Sequence, residues 1–203
     1  MSNLASVYQV NGDHAAAIAL YEEAACGMEQ KNFNSLNAEP IITNTINVYD
    51  IAGQYVQADS WREKWLTHIR NKSGKNSLEY SACLASFGQT LLLRQEWEQA
   101  EDMIRQCVTI RQEIQPDSWL TYNTKSMLGL ALLQQKKYRD AEPLLIEGYQ
   151  GIKKRADSIP ETVRKTRMSE AVQRLIEIYV QMEKPDEVEY WENEAESLMQ
   201  LDQ

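Results

Sequence analysis

Cysteine and histidine are scarce: three of the first and two of the second in 203 residues. Cys26, Cys83 and Cys107 are odd in number and far apart, so they make neither a disulfide framework nor a CxxC metal or redox motif. Their expected role is that of small buried apolar residues. His14 and His68 stand in different segments, which removes a zinc site and most ways of building a Ser-His or Cys-His nucleophile pair. A Gly-rich phosphate loop, an H-R-D and a D-F-G are all missing. No catalytic residue, metal or cofactor is therefore expected, and the chain is not expected to be an enzyme.

Long apolar runs are missing too. "LGLALL" and "TLLL" stop far short of the ~20 residues a membrane span needs, and no charged start followed by an apolar stretch opens the chain. Membrane insertion by these residues is not expected. Basic residues are outnumbered, 21 Lys and Arg against 30 Asp and Glu, for a net charge of −9. Between residues 183 and 202 eight carboxylates face the single Lys184. A nucleic-acid binder needs a basic face to displace counterions from phosphate, so no nucleic-acid partner is expected. Glycine and proline are few, eight and five, in a chain that is 43% hydrophobic and 25% charged. That composition is globular rather than disordered or fibrous.

Two of those few stand where they are least welcome. "MLGLALLQQKKYRDAEPLL", residues 127 to 145, reads as helix on both sides of a polar hinge, yet holds Gly129 and Pro143, the two poorest helix formers. Self-similarity explains the glycine. With Ala141 as anchor, Tyr138 lies three residues before, Leu132 nine, Gly129 twelve and Leu128 thirteen before, and Gly148 seven after. The same frame recurs around Ala100, Ala58 and Ala17, and more weakly around Val188, at spacings of 41, 42, 41 and 47 residues.

Quoted as "NLASVYQVNGDHAAAIALYEEA" and "LASFGQTLLLRQEWEQAEDMIRQC", this pattern resembles the tetratricopeptide repeat. Its spacing is similar to the longer variety of kinesin light chains. The resemblance implies an all-α fold, a right-handed superhelix or α-solenoid of about five antiparallel helix pairs. It makes residues 1–203 a single domain with repeats at about 1–30, 38–70, 77–112, 119–153 and 161–201. The pairs would be 1–10 with 13–30, 38–51 with 54–70, 77–94 with 96–112, 119–135 with 137–153, and 161–182 with 185–201. Gly88 and Gly129 then fall where two helices cross, with Ala100 and Ala141 facing them. Pro143, past the first turn of its helix, should cost one hydrogen bond and a slight bend. Asp117 or Ser118 should cap the fourth repeat and Ser158 the fifth.

Function follows from the same resemblance. First helices of such repeats line a concave surface that takes a peptide or a partner segment, which makes the chain a protein-interaction scaffold. The groove residues it implies are Asn3, Asn44, Asn47, Ser86, Gln89, Tyr122, Asn123 and Ser126, with Arg167 and Arg174 as bases for an acidic ligand end. Asn44 and Asn47 lie one turn apart on one helix face, and each amide offers donors and an acceptor to a peptide backbone.

Repeats four and five also resemble the C-terminal repeat region of bacterial serine/threonine protein kinases, whose catalytic part would lie upstream. The first repeat begins inside its first helix, so more chain is expected ahead of residue 1. A free-standing repeat protein would be cytoplasmic, whereas the tail of a membrane-spanning kinase would be extracytoplasmic. Leu4 and Val7, in pattern on that first helix, also offer a surface for a homodimer through the N-terminal repeat.

Overall fold

The computed structural model describes residues 2–200, and side chains over 4–198. Among the described residues there are ten α-helices and no strand. The helices are α1 (Ser2–Val10), α2 (His14–Gln30), α3 (Ala38–Ile51), α4 (Tyr55–Ser73), α5 (Leu78–Leu93), α6 (Trp97–Ile114), α7 (Trp119–Gln134), α8 (Tyr138–Lys154), α9 (Glu161–Gln181) and α10 (Pro185–Gln200). Their ends lie within three residues of those the repeat frame predicts.

Two compact units divide the chain, Met1–Lys75 with α1 to α4 and Asn76–Gln203 with α5 to α10. In the first, α2 packs on both α1 and α3, and α3 on α4. In the second, each helix packs on the next, and the first helices of its repeats also touch directly, α5 with α7 and α7 with α9. Among the described residues the second helices α8 and α10 meet only through long side chains, Tyr149 edge-on to Trp191 with ring centroids 5.3 Å apart and hydrogen-bonded to Glu194, so the first helices, whose backbones approach directly, form the inner layer of this unit.

The anchors are the core. Ala17, Ala58, Ala100 and Ala141 are each 0% exposed, because a helix pair closes tightly only where side chains are small. In the first unit Ala5, Ala17, Tyr21 and Val48 form one cluster. In the second a continuous core includes Leu91, Ile104, Leu128, Leu145, Leu175 and Trp191. Polar links reinforce it. Glu101 of α6 accepts hydrogen bonds from Lys137 (2.7 Å), Arg105 (2.7 Å) and Gln135 (2.9 Å). Burial pushes its carboxyl up, but those donors outweigh it and hold the group at about 2.

The two crossing glycines meet larger residues than expected. A Cβ on Gly88 would lie 2.5 Å from Ile104, and one on Gly129 2.6 Å from Leu145. The expected partners, Ala100 and Ala141, stand one turn earlier on the same faces, so the crossing is displaced by a turn. The propensity of ~1 kcal/mol lost at each glycine makes room for a branched side chain instead of a methyl. Helix α8 runs unbroken through Pro143, which is exposed.

Every repeat turns between its helices by the same device. Gly12, Gly53, Gln95, Lys136 and Glu183 all have φ between 55° and 81°. The next residue in each case donates its N–H to the carbonyl five back: Asp13 to Tyr8, Gln54 to Tyr49, Glu96 to Leu91 and Lys137 to Leu132 at 2.9 Å, Lys184 to Tyr179 at 3.0 Å. This is the Schellman closure of a helix C-terminus. Three of the five left-handed residues carry a Cβ there, at roughly 1–2 kcal/mol each. Lys136→Gly and Glu183→Gly should each stabilise the second unit by up to about 1 kcal/mol, part of the strain relief being offset by unfolded-state entropy. Urea unfolding midpoints that fail to rise would show that the strain is already relieved by neighbouring contacts.

At the repeat junctions Ser118 is the cap of α7, its Oγ accepting from the Leu120 N–H at 3.2 Å. Asp117 instead accepts from Arg155 at 2.9 Å. The expected cap at Ser158 is not formed. Ser158 ends a 3-10 turn (Ala156–Ser158) and donates its hydroxyl to the Arg155 carbonyl at 2.7 Å, while Pro160 occupies the capping position of α9. The turn serves to bury Ile159, 1% exposed, and a serine bonded within its own turn is lost to the helix beyond it.

Candidate functional site

In the first unit the face of interest is that of α3. Thr45, Ile46, Val48 and Tyr49 point inward and are buried. The Thr45 hydroxyl donates to the Ile41 carbonyl at 2.7 Å and also lies 3.3 Å from the Tyr21 carbonyl, which fixes the rotation of α3 against α2. The opposite arc then carries Asn44, half-buried, Asn47, exposed, and Ile51, 56% exposed. Neither asparagine side chain hydrogen-bonds to any described residue. Their neighbour Asp50 is committed, ion-paired with Arg62, which also holds Asp59. On α1, the Ser6 hydroxyl and the Tyr21 phenol are 2.7 Å apart. The side chain of Asn3 falls outside the described residues.

In the second unit α5 turns Ser86 and Leu93 outward, the latter 75% exposed, with Gln89 half-buried between them. The next helix departs from expectation. Asn123 is 8% exposed, with its Nδ2 3.6 Å from the Met127 sulfur and its Oδ1 buried without a partner. Ser126 is 0% exposed, faces Gly148 of α8, and accepts from Arg174 Nη1 at 2.9 Å. Neither lies on an open surface, because α7 is the central helix of its unit and has neighbours on every side. Tyr122 turns toward α8: its ring lies against Gly151, the Arg155 guanidinium sits 4.3 Å from the ring centroid, and with Lys125 and Lys154 it borders an open pocket on that side.

The two basic candidates are likewise engaged. Arg174 is 7% exposed and reaches Glu170 at 3.7 Å as well as Ser126. Burial lowers its proton affinity and Glu170 opposes that, so it stays a cation held inside the fold. Arg167 pairs with Glu170 at 2.8 Å. These residues form an internal network between α7 and α9, extended by a 2.5 Å hydrogen bond from Gln134 to Glu177. An acidic ligand end has no free base there.

One regularity escapes residue-by-residue reading. Val10, Ile51 and Leu93, all exposed, hold the same frame position at the ends of α1, α3 and α5. Their spacing of 41 and 42 residues, identical to that of the anchors, is the signal that could have found them. Among the described residues no cluster of His, Cys, Asp and Glu could hold a metal ion, and no helix is long and apolar enough to cross a membrane.

Comparison with known proteins fits this geometry. The family model described as tetratricopeptide repeat matches residues 1–31 and 81–114, the first repeat and most of the third. Those two stretches match the tetratricopeptide repeat. Two solved structures have a similar fold. One holds the nearly identical TPR-like repeats of a Podosopora anserina protein assigned as a kinesin light chain, at 14% identity and a TM-score of 0.72 over 100% of this chain and 94% of that one. The other is BtubC (BKLC) from P. vanneervenii, at 16% identity and a TM-score of 0.77 over 98% of this chain and 78% of that one. At such identities the likeness is one of fold, and it is the fold of the long, kinesin-light-chain-like repeat. No curated protein matches the sequence. Tetratricopeptide repeats are in general non-catalytic scaffolds for protein–protein interaction, and the exposed first-helix residues are the ones to weigh in that light.

Proposed function

We propose that this chain is a protein-interaction scaffold that takes a partner's extended segment on the first-helix face of its repeats, with Asn44 and Asn47 as the gripping pair. The observation that carries this reading is the state of those two amides. They stand one turn apart on one exposed arc, each with donor and acceptor capacity unspent. Ser126, Arg167 and Arg174, by contrast, are spent on contacts within the fold, and Asn123 is buried. Ser86 and Gln89 are the corresponding open positions of α5.

A photoreactive residue placed at position 47 would capture the partner, with the same residue at exposed Glu63 on α4 as control. The purified partner should then bind Asn44→Ala/Asn47→Ala more than about tenfold more weakly, the loss of two net hydrogen bonds of ~0.5–1.5 kcal/mol each. Undiminished binding by the double variant would remove the groove assignment.

A further inference from the structure

We propose that the segment held by the first unit is aliphatic and uncharged; this rests on the scaffold reading and names its ligand class. In a chain of net charge −9, the face formed by α1 and α3 is nearly free of charge. Helix α1, "SNLASVYQV", has no ionisable side chain except the Tyr8 phenol. Helix α3 has two carboxylates, Glu39 in its first turn and Asp50, and Asp50 is neutralised by Arg62.

What the face exposes instead is amide and aliphatic surface. Val10, at the same repeat position as Ile51, is 86% exposed, and Ile51 is 56% exposed. Ile51 stands four residues beyond Asn47, about 6 Å along the helix. That is close to the two-residue repeat of an extended segment. A peptide unit gripped at Asn47 therefore presents its next same-side side chain to Ile51.

The alternatives fit worse. An acidic segment would seek Arg62, which is 3% exposed and already held by Asp50 and Asp59. A basic segment would find only Glu39, more than a turn away from Asn44. Sequence-independent grip by amides plus contact with aliphatic side chains selects for what the ligand lacks, namely charge. Affinity without ion pairs is also indifferent to salt.

The test is selection from a library of random linear peptides on the full chain, with Asn44→Ala/Asn47→Ala selected in parallel. Amide-dependent binders, synthesised singly, should carry Val, Ile or Leu and no net charge. Their affinity should change by less than about twofold between low and high salt. It should fall about tenfold on Ile51→Asp, through lost burial of one aliphatic contact. Ile51→Ser, gentler on the fold, should fall in the same direction, and unfolding midpoints of both variants should match the parent. Amide-dependent binders that are acidic or basic and weaken with salt would overturn the ligand class and leave the groove standing. A selection with no amide-dependent binder would overturn both. So would a mass that doubles with concentration and reverts in Val10→Asp, since the face would then be covered by a second copy.

Discussion

Valine in place of Gly148 should destabilise the Asn76–Gln203 unit by about 3 kcal/mol, and alanine by about 1–2 kcal/mol. A Cβ at this position of α8 would stand 2.8 Å from the Ser126 backbone nitrogen and Cβ, and 3.0 Å from its Cα. These atoms are not the end of a flexible side chain. To make room, α7 or α8 must move, and α7 is pinned: the Thr121 hydroxyl donates to the Gln115 carbonyl at 2.8 Å, and Arg111 donates to the Thr124 hydroxyl at 2.6 Å and the Leu120 carbonyl at 3.0 Å. Helix propensity acts the other way, favouring alanine over glycine by ~1 kcal/mol, so the net loss measures the closeness of the crossing. Gly27 is the built-in control. It lies in α2 with nothing within 4 Å of where an alanine methyl would sit, and Gly27→Ala should be neutral or stabilising by up to ~1 kcal/mol. Guanidinium unfolding of the three variants checks the ranking, and a Gly148→Val protein as stable as its parent would mean the helices are not held at this distance.

That contrast shows where sequence is informative. Small anchors such as Ala17 and Ala141 recur because any helix pair in the stack must close on them, so their spacing survives whatever surrounds it. Helix ends follow from the same frame. The facing of a single polar residue does not, because it depends on how many neighbours its helix has. Asn47 and Ser86 are open while Asn123 and Ser126 are buried, although all belong to the same kind of first helix. The deciding fact is that α7 is flanked by α5 and α9 and backed by α6 and α8, which no local pattern records. The turns are half legible. Gly12 and Gly53 mark the left-handed position openly, whereas Gln95, Lys136 and Glu183 adopt it against their own preference. Ser158 misleads because a serine before a helix competes between capping it and bonding within its own turn.

Arg174→Ala should cost the second unit about 3 kcal/mol and leave ligand binding at α3 unchanged. The guanidinium is 7% exposed and donates to a Ser126 hydroxyl that is itself fully buried. Alanine would leave that hydroxyl without its donor and open a void between α7 and α9. Glu170 softens the loss, since Arg167 still pairs with it at 2.8 Å and no lone buried carboxylate remains. Arg174→Met should therefore lose less than alanine does: it refills most of the volume and gives up only the charge-assisted bond, worth ~1.5–3 kcal/mol. The order parent, Met, Ala separates packing from polarity in urea unfolding. If Arg174→Ala were as stable as the parent, the side chain would not be held as described, and a base free to meet an acidic ligand would return to the face of α9. A loss of stability in the stated order instead makes Arg174 part of the wall between two repeats, which leaves recognition to residues whose hydrogen bonds are still unspent.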